Sequence, residues 1–246
     1  MNTEDLSLED VDLFFGKKQI LRGICLRVRP GEICGLLGPS GCGKTTLVRI
    51  AAGILRASRG RAVVLGESMP KLLAMARIGY MAQGDALYPA LSAEENLQFF
   101  GSVYGLRGKA LRARIAELAE TVNLSEDMKK PVHLYSGGMK RRLSLIAALL
   151  HKPSVLILDE PTVGIDPLLR RGIWAHLRGV AQEGAVILVT THVMDEAEQC
   201  NRIAMLRDGA LLALGTRDEI LSAAGAVGLE EAFVRFSGGA PEEGAV

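Results

Sequence analysis

Apolar and polar positions alternate in places from Leu6 to Phe15, the period of a half-buried strand. Gly16-Lys17-Lys18 then marks a turn, and a second strand reads from Ile20 to Val28, with Leu21, Ile24, Leu26 and Val28 apolar. Arg29-Pro30-Gly31 turns the chain into Ile33-Cys34-Gly35-Leu36-Leu37, a short unbroken apolar run that reads as a strand buried on both faces. A glycine-rich stretch separates it from a helix starting at Thr46-Leu47-Val48. Further strands are predicted at Arg61 to Leu65, before a Gly66 turn, and at Ile78 to Met81, just before Gln83. From Gly84 to about Leu150 the period changes to that of helices. Ser92-Ala93-Glu94-Glu95 is a capping box that opens a helix through about Val103. Gly105 and Gly108 break that helix, Lys109 to Val122 carries Leu111, Ile115, Leu118 and Val122 on one face, and Ser136 to Leu150 is a third helix. Strand patterning returns at Val155 to Leu158 and Ala185 to Thr190, separated by a helix from Leu168 to Gln182 that Gly184 stops. A short helix at Asp195 to Cys200, a hairpin of Ile203 to Leu206 and Ala210 to Leu214 around Asp208-Gly209, and small helices at Arg217 to Ala223 and Leu229 to Phe236 follow. Residues from Gly238 onward read as a frayed tail. The pattern predicts an α/β fold in which early antiparallel strands lead into a parallel core within a mixed sheet, with a helical block inserted between strands.

Composition narrows the class. The 246 residues suit one large domain or a core with an inserted subdomain. Hydrophobic residues make up 48% and charged residues 23%, the balance of a globular protein. The net charge of +1 gives no basic footprint for nucleic acid, so DNA and RNA are set aside as main ligands. Cys25, Cys34, Cys42 and Cys200 form no C-x-x-C pair and no disulfide framework, which points to a reducing cytosol. The start, Met1-Asn2-Thr3-Glu4-Asp5, is acidic and lacks the order of a signal peptide. No apolar run approaches the length that spans a bilayer, so the chain is expected to dock on a membrane at most.

The chemistry centres on Gly38-Pro39-Ser40-Gly41-Cys42-Gly43-Lys44-Thr45-Thr46, a match to G-x-x-x-x-G-K-[ST] with a strand before it and a helix after it. Glycines let successive backbone N–H groups turn inward around phosphates. Lys44 reaches the β- and γ-phosphate oxygens, Thr45 offers a hydroxyl to Mg²⁺, and Thr46 stands beside it where the helix presents free N–H groups to the anion. Asp159 and Glu160 close the strand Val155 to Leu158, at the strand end where ligands bind in parallel sheets. Asp159 is placed to hold Mg²⁺ through water, and Glu160 is the natural general base for an attacking water.

Tyr135-Ser136-Gly137-Gly138-Met139, ahead of Lys140-Arg141-Arg142 and an apolar helix, forms a second helix N-terminus suited to an anion. With this element the chain resembles the ABC ATPase family, the nucleotide-binding subunits of ATP-binding-cassette transporters, from about Leu6 to Phe236 with the motifs in family order. The family's signature is usually Leu-Ser-Gly-Gly-Gln; here Tyr135 and Met139 depart at its ends, while Ser136, Gly137 and Gly138 keep the core that contacts the γ-phosphate. The resemblance implies that Phe15 stacks on adenine, with Phe14 as the alternative register, and that Gln83 senses Mg²⁺ and the attacking water. It further implies that Asp166, in Pro161-Thr162-Val163-Gly164-Ile165-Asp166, lies at a dimer interface, and that His192 contacts the γ-phosphate. His133, His151, Trp174 and the cysteines match no catalytic position and read as packing or surface residues. Lys140-Arg141-Arg142 reads as a solvated first helical turn, with phosphate or lipid binding as the other reading.

The fold implied is an α/β P-loop NTPase core with a mixed or parallel sheet, an N-terminal antiparallel β subdomain and an inserted helical subdomain. The core is placed at about 1–84 and 151–215, the helical subdomain at about 85–150, and the flexible tail at 237–246. The function implied is an ATPase with ATP and Mg²⁺ that pairs head to tail, as a homodimer or with another cassette, and drives a separate integral membrane permease from the cytoplasmic face of the inner membrane. Ser-Gly-Gly-Met-Lys-Arg-Arg, Asp195-Glu196-Ala197-Glu198-Gln199-Cys200 and Leu229-Glu230-Glu231-Ala232-Phe233 resemble exporters of drugs, polysaccharides or lipids; the cargo is not named by the sequence. Tyr88-Pro89-Ala90-Leu91 is either an exposed apolar edge where a permease helix docks or ordinary packing under the helical block. The competing readings are a soluble ABC ATPase not linked to transport, which usually carries tandem cassettes or coiled-coil insertions absent here, a P-loop kinase, which leaves the signature turn and His192 unexplained, and a non-hydrolysing regulatory module, against which intact Glu160 and His192 argue.

Overall fold

The computed structural model describes residues 5–238. In chain order the first half runs β1 (Leu6–Phe15), β2 (Lys18–Val28), β3 (Ile33–Leu37), α1 (Lys44–Ala51), β4 (Arg59–Val64), β5 (Glu67–Ser68), α2 (Leu72–Met75), β6 (Ile78–Met81), α3 (Ala93–Val103), α4 (Gly108–Thr121) and α5 (Gly137–Leu149). The second half runs β7 (Val155–Asp159), α6 (Pro167–Gln182), β8 (Val186–Thr191), α7 (Met194–Ala197), β9 (Arg202–Arg207), β10 (Ala210–Gly215), α8 (Arg217–Ala224) and α9 (Leu229–Phe236).

The strands form two sheets. A four-stranded antiparallel sheet has the order β2-β1-β4-β5, and a six-stranded sheet has the order β10-β9-β3-β8-β7-β6. The pairs β3–β8, β3–β9, β7–β8 and β6–β7 are parallel, and only β9–β10 is antiparallel. The mixing therefore arises from the late hairpin, whereas the early antiparallel strands stand in a sheet of their own and recruit β4. This separate sheet is the expected N-terminal antiparallel subdomain, standing beside the parallel core. Its recruitment of β4 rests on cross-strand pairing: β4 aligns against β1 from Leu6↔Val64 to Asp12↔Arg59, a long-range choice that local pattern does not encode.

The parallel strands are near-continuous apolar runs because both faces are covered. In β7, Leu156 and Leu158 pack with α4, α5 and α6, while Val155 and Ile157 turn to α1 and the antiparallel sheet. In β8, Ile187 and Val189 divide from Val186 and Leu188 in the same way. Residues α7 to α9 add a smaller cluster of Ala197, Ile220, Leu229 and Ala232 on Leu37, Ile203 and Met205.

Helix ends follow their caps. Ser92 and Glu95 form the reciprocal capping box of α3, and Asp166 caps α6 by accepting from Leu169 N at 3.0 Å, with Pro167 at the first helical position. Gly108 opens α4 rather than breaking α3 there; the chain leaves α3 through Tyr104 and Gly105. The single-turn α2 and the short β5 carry no sequence pattern long enough to predict them. The start of the chain up to residue 4 and the tail from residue 239 lie outside the described residues; Ser237 within the predicted tail is the C-cap of α9.

Candidate functional site at the carboxyl edge of the parallel sheet

Four neighbouring parallel strands deliver the predicted chemistry to one edge. Phosphate-loop residues 38–43 follow β3, His192 follows β8, Asp159 and Glu160 end β7, and Gln83 follows β6. These are the carboxyl ends of adjacent strands, where open α/β sheets bind ligands.

Gly43 is the N-cap of α1 at φ 111°, a left-handed backbone that a side chain rarely adopts. A Cβ there would also stand 2.8 Å from Leu21 Cδ2. This packs the start of β2 against the phosphate loop and brings the β1–β2 hairpin alongside it. Phe15 and Phe14 lie at that hairpin, 55% and 36% exposed. Lys44 is buried and curls back, its Nζ donating to Gly38 O at 2.6 Å and Pro39 O at 2.9 Å. Its ammonium thus sits on the carbonyls of the loop between β3 and α1. Thr45 and Thr46 are half-buried, Pro39, Ser40 and Gly41 are exposed, and burial pushes the Cys42 thiol up.

Asp159 is fully buried. Its Oδ1 accepts from Thr190 Oγ1 at 2.5 Å, while Oδ2 is buried without a partner. A carboxylate oxygen left bare at a phosphate site fits a hard cation such as Mg²⁺, which keeps waters and phosphate oxygens in its shell. The donor set is right for that ion: Thr45, Asp159 and Gln83 are all oxygen donors.

Glu160 has φ 53°, the left-handed region that non-glycine residues seldom occupy. Its N–H donates to Thr190 O at 3.1 Å and Thr190 Oγ1 at 3.0 Å, and its Oε1 lies 3.0 Å from His192 Nδ1. The kink turns the carboxylate out of the strand to His192, which is 45% exposed. The Gln83 side chain is exposed, and its backbone carbonyl is held by Arg141 at 2.9 Å.

Ser136, Gly137 and Gly138 stand apart from this group, at the start of α5. Ser136 Oγ accepts from Met139 N at 3.3 Å, and Ser136 and Gly137 face solvent. A Cβ on Gly138 would stand 2.8 Å from Gly164 O, so this helix start lies directly on the loop that carries Asp166. Tyr135 is a core residue: its hydroxyl donates to Asp127 O at 2.8 Å, and burial pushes the phenol up to about 12. Met139 packs against the same core.

Two residues that hold this site together were not singled out from sequence. Glu196 is buried on α7 and accepts from Thr162 Oγ1 at 2.6 Å and Thr191 Oγ1 at 2.7 Å, with Arg170 at 3.6 Å. It ties the segment after Glu160 to the segment before His192; its only sequence signal was its place four residues after His192. Arg141 is buried rather than solvated, and Arg142 closes the end of α4 by donating to Val122 O and Asn123 O at 2.9 and 2.8 Å. Burial corrects the reading of Lys140-Arg141-Arg142 as a solvated turn: the end of β7 and the end of α4 supply carbonyls that only long guanidinium side chains reach.

Residues 21–163 match the profile of the family described as ABC transporter. The linearmycin resistance ATP-binding protein LnrL of Bacillus subtilis is 40% identical over 240 residues, 93% of this chain and 77% of its own length. The probable multidrug ABC transporter ATP-binding protein YbhF of Escherichia coli is 44% identical over 195 residues, 78% of this chain; the match spans 34% of YbhF, about a third of that relative. A solved structure described as the ATP binding subunit of an ABC transporter superposes with a TM-score of 0.88 at 27% identity, covering 94% of this chain and 99% of that one. On the profile and these identities, the chain belongs to the ABC transporter family.

Proposed function

We propose that this chain is the ATP-hydrolysing motor of an exporter, pairing head to tail on ATP and driving a separate membrane permease. The observation that carries the reading is the convergence of Lys44, Asp159, Glu160, His192 and the Gln83 segment on four adjacent strand ends. The names of LnrL and YbhF, a resistance protein and a probable multidrug transporter component, support the exporter assignment.

The phosphate loop and the N-terminus of α1 bind the triphosphate, with Lys44 released from Gly38 O and Pro39 O to its oxygens. Phe15 stacks on the adenine. Thr45, Asp159 and Gln83 would hold Mg²⁺, which would supply charge neutralisation on the phosphates. Glu160 accepts the proton of the attacking water, and His192, hydrogen-bonded to Glu160, orients the carboxylate and contacts the γ-phosphate. Ser136, Gly137 and Gly138 of a second cassette complete the site from the far side of the γ-phosphate, with Asp166 at the interface. Loss of that phosphate removes the bridge between two helix N-termini and opens the pair. Tyr88, 46% exposed over Phe99 and Phe100, supports an apolar docking edge for the permease just beyond Gln83, on the cytoplasmic face of the membrane.

Glu160→Gln is expected to bind ATP, to hydrolyse it slower by a factor on the order of 10² or more, and to run as a dimer on size exclusion with ATP. Lys44→Ala is expected to lose nucleotide binding. A hydrolytically normal Glu160→Gln protein removes the base assignment. A tagged pull-down from gently solubilised native membranes tests the transport link: a polytopic permease in the eluate supports it, and recovery of soluble partners alone overturns it.

A further inference from the structure

The parallel ladder between β6 and β7 runs from Ile78↔Val155 to Met81↔Leu158 and stops. In that register the next rungs would set Ala82 opposite Asp159 and Gln83 opposite Glu160. The positive φ of Glu160 ends the strand there, so those carbonyls lose their ladder partners just where the reacting groups stand. One side chain takes them up. Arg141 Nε donates to Glu160 O at 2.9 Å, Nη1 to Ala82 O at 2.8 Å and Gln83 O at 2.9 Å, and Nη2 to Glu160 O at 2.7 Å and to Asp159 O. All three guanidinium nitrogens are engaged, on backbone alone, and Arg141 forms no ion pair among the described residues. A buried cation is costly unless its donors are satisfied, and this one is satisfied by the arrangement of β6, β7 and α5. Desolvation by burial pulls its pKa below the ordinary guanidinium value, opposed by the charges of Asp159, Asp85 and Glu160.

We propose that Arg141 is a positioning residue for hydrolysis: from the second turn of α5 it replaces the interrupted β6–β7 ladder and fixes the Glu160 backbone and the Gln83 segment in one register. Arg141 follows Ser136 by five residues on the same helix. The helix that presents Ser136 to a partner's nucleotide therefore also braces the base and the Gln83 segment of its own chain, and a shift of α5 moves both together. This rests on the reading of Glu160 as general base.

The test compares the full-length wild type with Arg141→Met, which keeps an apolar stem, and Arg141→Lys, which keeps the charge without the fork. The readouts are the Kd for ATP, kcat, and amide hydrogen exchange. Both variants are expected to keep the Kd within about twofold, and Arg141→Met to lose about tenfold or more in kcat, on the scale where a small misplacement of a reacting group costs up to ~10²-fold. Arg141→Lys falls between. Exchange is expected to rise at 82–84 and 160–163 and to stay unchanged at 38–46. Wild-type kcat in both variants, unchanged exchange in both segments, or loss of protection spread equally over the phosphate loop each overturns the proposal; if Arg141→Met does not fold, Arg141→Lys decides on the same readouts. Glu160→Gln assayed in parallel separates the two readings. Should it retain wild-type kcat, the base assignment falls, while the exchange data still decide whether Arg141 braces the two segments.

Discussion

At the scale of single residues, the groups closest to the proposed chemistry owe their positions to what lies beside them. Glu160 is kept in a left-handed backbone by Thr190 on its N–H and Arg141 on its carbonyl, and the kink delivers its carboxylate to His192. Outside the site, a single buried imidazole has a measurable consequence. The His151 ring stacks on Tyr104 at 3.6 Å and 1°, joining the end of α3 to the turn before β7, and burial pushes its pKa from 6.5 to about 4. The folded chain holds this ring neutral while the unfolded chain protonates it near 6.5, so the unfolded state binds the extra proton between those values. Stability from this group is therefore complete above pH 6.5 and is lost as the pH falls towards 4. Thermal unfolding measured across that window is expected to show a smaller decline in His151→Phe, which keeps an aromatic face on Tyr104 and removes the titration. Equal declines in both proteins exclude His151 as a source of the acid sensitivity.

At the scale of elements, what the sequence made legible and what it did not divide along one physical line. The strand–loop–helix around Lys44, the carboxylate pair at the end of β7 and the cap of α3 are local: their spacing along the chain is itself the structure, so a reader of residues finds them. Arg141, Glu196 and the pairing of β4 with β1 are defined by partners 19, 34 and about 50 residues away, and no local pattern announces those contacts. Asn96 is of the second kind. It reads as one more polar position on α3, yet it is fully buried, accepts from Tyr88 N at 2.8 Å and donates to Tyr88 O at 3.0 Å and Ser92 O at 2.9 Å. The loop that presents Tyr88 is thus tied to α3 by one amide. Asn96→Leu fills the space but strands the Tyr88 N–H and C=O, and denaturant unfolding is expected to show a loss of about 1–3 kcal/mol. Asn96→Asp keeps the acceptor for Tyr88 N but sets a buried carboxylate against Tyr88 O and Ser92 O, so it is expected to lose at least as much at neutral pH; a neutral Asn96→Leu would mean that the loop is held by its apolar contacts alone.

At the scale of the whole molecule, the arrangement leaves one nucleotide with half of its proposed contacts. The phosphate loop and Glu160 share the sheet edge, whereas Ser136, Gly137 and Gly138 sit at the start of α5, with Ser136 bonded only within its own helix among the described residues. If each site is composed from two chains, defects placed on different halves can be separated by mixing. Lys44→Ala disables the phosphate loop of every chain that carries it, and Ser136→Arg fills the turn offered to a partner. Each variant alone has two damaged sites per dimer and is expected to be inactive. A heterodimer of the two gathers both defects into one site and leaves the other with an intact phosphate loop and an intact turn. An equimolar mixture is then expected to recover roughly a quarter of the wild-type rate, because about half of randomly paired dimers are heterodimers with one working site of two. Chains that carry complete sites of their own would gain nothing from mixing, since every chain present has a defect. ATP hydrolysis of the mixture against the two separate variants thus decides whether the symmetry of the pair is part of the active site or only its packaging.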